Sequence, residues 1–155
     1  MIQNVKKILA PIDFSVHSME AMRGAMELAK DVGADVHLVH VIAPHRHFIP
    51  LPLATSAEES RELVREAAML EQAEEELARV KKDDFGDSKK VFTFAVVGNP
   101  IEKLVEYAKE QAIDLVVMST HGRSGVEQIL IGSVTEKMVR NAPCSVLVFR
   151  PRNRT

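Results

Sequence analysis

The chain has 155 residues, 46% of them hydrophobic, a formal net charge of −2 and one cysteine. That is enough for one domain around one sizeable core. It gives no basic surface for nucleic acid, excludes an internal disulfide, and contains no apolar run approaching the ~20 residues of a membrane span. With no signal-peptide apolar region at the N-terminus, a soluble, cytoplasmic protein is expected.

The first predicted strand runs from Val5 to Ile12 and ends in Pro11-Ile12-Asp13. Proline lacks a donor and suits a strand end, which leaves Asp13 at the carboxyl edge of the sheet. There it reads equally as a turn or helix-capping aspartate and as a ligand-facing one. Ser15 to Val32 reads as a helix, its Met19, Met22, Met26, Ala29 and Val32 forming a core stripe that Gly33 closes. Asp35 to Ile42 alternates as a second strand. Residues 43 to 55 contain three prolines and no period, so they read as a loop. His40, His45 and His47 lack a carboxylate or cysteine partner here, which favours surface histidines over a metal site.

Ser56 to Lys82 is the longest predicted helix, with a stripe of Leu63, Ala67, Leu70, Ala73 and Leu77. Its acidic residues read as a solvated face. After a turn over 83 to 90 comes a strand from Val91 to Val97, then a helix with Asn99 as N-cap and Pro100 at its first position. Ile101, Leu104, Val105 and Ala108 give that helix its buried face.

Ile113 to Met118 is short, β-branched and without polar alternation, as expected of a strand buried on both faces. A glycine-bearing loop, Ser119 to Gly125, follows. Gly132 and Ser133 then open a helix, with Ser133 and Glu136 spaced as a capping box. Strand, glycine loop and helix N-terminus together make a phosphate-holding pattern: glycine admits the anion to the backbone, and free N–H groups and the helix dipole attract it. It is neither a P-loop nor a dinucleotide fingerprint, since it lacks Gly-Lys-Ser/Thr and the GxGxxG spacing. Val134 to Asn141 continues the last helix, Cys144 reads as a small buried hydrophobe, Ser145 to Phe149 is the last strand, and 151–155 is a tail on a 1–150 domain.

The stretch resembles the nucleotide-binding signature of the universal stress protein family: Gly, two residues, Gly, nine residues, Gly-Ser/Thr. Gly122, the nine residues to Ile131 and Gly132-Ser133 match, while Ser119 stands where the first glycine belongs. The resemblance extends from Ile8-Leu9-Ala10-Pro11-Ile12-Asp13-Phe14-Ser15 to Ala142-Pro143-Cys144. It implies an α/β fold: one doubly wound, five-stranded parallel sheet of order 3-2-1-4-5, Rossmann-like and similar to adenine nucleotide alpha hydrolases. It also implies an ATP, ADP or AMP site, with Mg²⁺ as an optional companion. The matching positions are Pro11, Ile12, Asp13, Ser15, Val41, Met118, Ser119, His121, Gly122, Arg123, Gly125, Gly132, Ser133, Val134 and Thr135.

Within that set, the resemblance gives the backbone at Val41 to the adenine ring, and the N–H groups near Gly132, Ser133 and Val134 to the phosphates. Arg123 and His121 read at least as well as turn residues in solvent, and Thr135 mostly as helix surface. The implied function is that of a stress-response regulator, a homodimer pairing through its last strand and signalling nucleotide occupancy to a protein partner. A slow ATP hydrolase or phosphotransferase and a nucleotide-free relative are the alternatives.

Overall fold

The computed structural model describes residues 4–44, 56–120 and 131–150. Five strands and four helices alternate: β1 (Lys7–Pro11), α1 (Val16–Val32), β2 (Asp35–Ile42), α2 (Ser56–Phe85), β3 (Val91–Val97), α3 (Pro100–Glu110), β4 (Leu115–Ser119), α4 (Ser133–Asn141) and β5 (Ser145–Phe149). All pairings are parallel and the order is β3-β2-β1-β4-β5, as the resemblance implied. Right-handed crossovers place helices on both faces of such a sheet, and the core accordingly has two halves. One gathers Ile8, Met22, Leu38, Leu77 and Val117; the other gathers Leu9, Val39, Leu104, Val116 and Met138.

The central ladder stops early, and the backbone explains why. The Lys7 carbonyl accepts from the Asp114 N–H at 3.0 Å, and the Lys6 carbonyl accepts from Asp35 at 2.8 Å. Odd residues of β1 therefore present their backbone groups to β4 and even residues to β2. Pro11 is odd, so its nitrogen faces β4 with no proton to give. Pairing between β1 and β4 covers Ile8↔Leu115 and Leu9↔Val116 and ends there, whereas β1 follows β2 to Pro11↔Val39 and β4 follows β5 to Ser119↔Phe149. A crevice opens between the two central strands at their carboxyl ends, where open α/β sheets bind ligands.

Several expected elements are re-drawn. The α2 stripe is half right: Ala73 and Leu77 are buried, but Leu63 is 66% exposed. A helix of 30 residues is about 45 Å long, while strands of 5–8 residues span about 17–26 Å, so its first half overshoots the sheet. In α1, Met22 and Ala29 are buried, joined by Ala21 and Ala25, while Val32 is exposed. Ser119 is the last residue of β4 rather than the first of a loop. Cys144 is half-buried against the second half of the core, and burial, helped by Asp114, pushes its thiol pKa up.

Candidate functional site

A cavity of about 360 Å³ occupies the crevice, within the ~300–1,000 Å³ range of small-molecule sites. Ten of the fifteen residues singled out from the sequence line it: Pro11, Ile12, Asp13, Val41, Met118, Ser119, Gly132, Ser133, Val134 and Thr135. Ser15 is not among the lining residues; it stands behind Asp13 as the N-cap of α1. His121, Gly122, Arg123 and Gly125 lie outside the described residues, as do His45 and His47.

Sequence reasoning missed Ser18, Val39, Pro100 and Leu104 as lining residues. Val39 was within reach of pattern, since it shares a strand face with Val41 two positions on. Pro100 and Leu104 enter from α3, whose proximity follows from the sheet order alone.

The Asp13 carboxylate is partly committed to the fold. Its Oδ1 accepts from the Ser15 N–H at 2.9 Å and from the Ser15 hydroxyl, and the Ser15 Oγ accepts from the Ser18 N–H at 3.2 Å. The turn reading of Asp13 therefore holds, and the residue faces the cavity as well. Phe14, between them, adopts φ 62° and packs its ring on His40 at 4.7 Å. His40 in turn holds the Ile12 carbonyl with Nδ1 at 2.6 Å, which braces the β1–α1 turn. Among the described residues no group of three or more His, Cys, Asp or Glu is placed to hold a metal.

The far wall is the start of α4, and here three expectations are corrected. Gly132, not Ser133, is the N-cap, and the Ser133–Glu136 capping box does not form. Gly132 has φ −57° and ψ 150°, an extended conformation open to any residue, so its value is not left-handed geometry. Its N–H is already given to the Thr120 carbonyl at 2.7 Å. Thr135 is not helix surface: it is buried, and its hydroxyl donates to the Ser119 carbonyl at 2.8 Å. That bond ties the first turn of α4 to the end of β4.

Three helices thus bring their N-termini to one cavity, and two are closed from within. Ser15 caps α1, and the Asn99 side chain accepts from the Ile101 and Glu102 N–H groups at 3.0 and 3.2 Å to cap α3. α4 has no side-chain cap. The first intrahelical bond there is from Glu136 to the Gly132 carbonyl at 3.0 Å, so the N–H groups of Ser133, Val134 and Thr135 have no acceptor within the helix. Partial positive charge collects at that point. Val39, Val41, Leu104 and Met118 give the same cavity an apolar wall. The arrangement suits a molecule with a flat apolar part and an anionic end.

Residues 4–150 match the Universal stress protein family. The chain is 39% identical over 145 residues to universal stress protein MJ0531 of Methanocaldococcus jannaschii, covering 94% of this chain and 82% of that protein. It is 31% identical over 157 residues to MJ0577 of the same organism, covering 96% of each. The solved structure of MJ0577 superposes with a TM-score of 0.81 at 30% identity, covering 96% of this chain and 98% of that one. A universal stress protein solved in complex with cAMP superposes with a TM-score of 0.63 at 23% identity, covering 94% of this chain and 97% of that one, a likeness of fold. The match along nearly the whole chain, on a sheet of order β3-β2-β1-β4-β5, places this protein in the universal stress protein family.

Proposed function

We propose that this protein binds an adenine nucleotide, ATP before ADP or AMP, in the β1–β4 crevice, and that it works as a cytoplasmic, homodimeric sensor of nucleotide in the stress response. The observation that carries the reading is the uncapped α4 N-terminus and an apolar wall lining one cavity. The base rests against Val39, Val41 and Leu104, and the phosphates take the first-turn N–H groups and the Ser133 hydroxyl. That a protein of this fold was solved with cAMP supports adenine as the base. Mg²⁺ would come with the phosphates, since Asp13 is the single carboxylate among the described lining residues.

Binding is favoured over turnover because the Asp13 Oδ1 is engaged by Ser15, which leaves little for a general base. The dimer forms through β5, an edge strand with Leu147 and Phe149 partly exposed and no lysine between Ser145 and Phe149. No described helix is long and apolar enough to cross a membrane.

Nucleotide extracted from the freshly purified protein should be adenine-based. In single-turnover assays bound ATP should persist for many minutes, and Asp13→Ala should change its retention more than its cleavage. Light scattering at high micromolar concentration should give a dimer mass. Turnover near the ~1–10² s⁻¹ usual for enzymes, lost in Asp13→Ala at unchanged affinity, would replace the sensor with a hydrolase.

A further inference from the structure

The sheet has a second edge, β3, at the end opposite β5. The Val36 N–H donates to the Lys90 carbonyl and the Gly98 N–H to the Ile42 carbonyl, so even residues of β3 face β2. The N–H and C=O groups of Val91, Thr93, Ala95 and Val97 therefore point outward. Among the described residues no strand pairs with them.

Both faces of this edge are furnished. On one, Glu74 and Leu77 of α2 and Thr93, Phe94 and Ala95 of β3 line a groove of about 220 Å³. On the other, Phe92 stacks on His37 at 5.0 Å and Phe94 on Tyr107 at 5.1 Å. The two phenylalanines remain 46% and 42% exposed on that firm base, with His37 and Tyr107 joined at 2.8 Å. From Val91 to Val97 there is no charge and no proline, the residues that blunt free edges.

We propose that the β3 edge and its groove are a docking site for an extended segment of a partner protein, which adds as a further strand and carries a basic side chain opposite Glu74. Main-chain bonds form at Thr93 and Ala95. Alternate side chains of the segment enter the groove beside α2 or lie on Phe92 and Phe94, the usual division of labour in strand addition. Charge decides the kind of partner. Among the described residues Glu74 makes no ion pair, while its neighbour Glu75 lies 3.9 Å from Arg79. A second copy pairing antiparallel about Phe94 sets its own uncharged Thr93 and Ala95 beside the groove, with its Lys89 and Lys90 beyond the paired run, and leaves Glu74 unanswered. A lysine or arginine on a different chain answers it.

The probe is an acetylated pentapeptide of alternating valine and threonine with a central lysine, titrated into the ¹⁵N-labelled full chain beside its central-glutamate counterpart. Expected are chemical-shift changes confined to Glu74–Leu77 and Val91–Val97, with slowed amide exchange at Thr93 and Ala95. Thr93→Pro removes an outward N–H that the folded edge does not use, and should abolish binding at unchanged Tm. Thr93→Lys, which fills and charges the groove, tests the same point if proline disturbs the strand. Glu74→Gln should weaken the lysine peptide about threefold to fivefold, the size of an exposed charge pair. Equal binding of the lysine and glutamate peptides, absent protection at Thr93 and Ala95, or self-association that Thr93→Lys abolishes would overturn the proposal.

Discussion

α3 and α4 begin at the same carboxyl edge of the sheet and line the same cavity, yet they begin in opposite ways. α3 supplies its own acceptor through Asn99, and Pro100 removes one orphan donor outright. α4 starts on a glycine without a side-chain cap, and its first-turn N–H groups have no acceptor within the helix. The first arrangement serves stability; under the function proposed above, the second serves recognition. Glycine is an accepted N-cap that adds no side chain, so the backbone at the start of α4 stays open to the cavity.

Gly132→Val is the strongest attack on that contrast. At φ −57° the backbone accepts valine without strain, so the cost to folding is that of a poorer N-cap, about 1 kcal/mol or less. Under the proposed function, a branched side chain at this lining position crowds the phosphate at the helix end. ATP affinity measured by calorimetry should fall by more than about a hundredfold, roughly 2.7 kcal/mol, while circular dichroism shows a cooperative fold. Near-wild-type affinity would mean that the open end of α4 holds no ligand.

Asn99→Ala makes the complementary change at the closed helix. Two N–H groups lose their acceptor, which should cost about 1 kcal/mol, or a Tm lower by roughly 2–4 °C for a chain of this size. Nucleotide affinity should stay within about twofold of wild type. A loss of binding as large as that of Gly132→Val, without the stability loss, would place the ligand at α3 instead.

The contrast was half legible in the sequence. Asn99-Pro100 announces its cap because both residues act within one turn, and the strand spans of β2, β3 and β5 follow from local patterning in the same way. Gly132-Ser133 misleads because serine three residues before Glu136 resembles a capping box, whereas the chain reaches the helix one residue earlier through the Gly132–Thr120 bond. Thr135 is hidden for a related reason: its acceptor, the Ser119 carbonyl, is 16 residues away in sequence. The exposed Leu63 reflects a mismatch between helix length and sheet width that no stripe along α2 records. Local chemistry was readable; bonds between the ends of β4 and α4 needed the fold.

Ser119 offers the finest adjustment of the open end. It occupies the place of the first glycine in the resemblance, and it is buried at the last position of β4, lining the cavity beside the first turn of α4. Its carbonyl, not its side chain, receives the Thr135 hydroxyl, so Ser119→Gly leaves the β4–α4 tether in place. Pairing with β5 through Ser119↔Phe149 is likewise a backbone matter. Removing the side chain should cost about 0.5–1 kcal/mol of stability from backbone entropy. The change widens the cavity by one hydroxymethyl group and alters neither the donors of Ser133, Val134 and Thr135 nor the apolar wall. ATP affinity should therefore shift by less than about tenfold, or ~1.4 kcal/mol. A gain larger than that would identify the serine as a partial block set beside an open helix end.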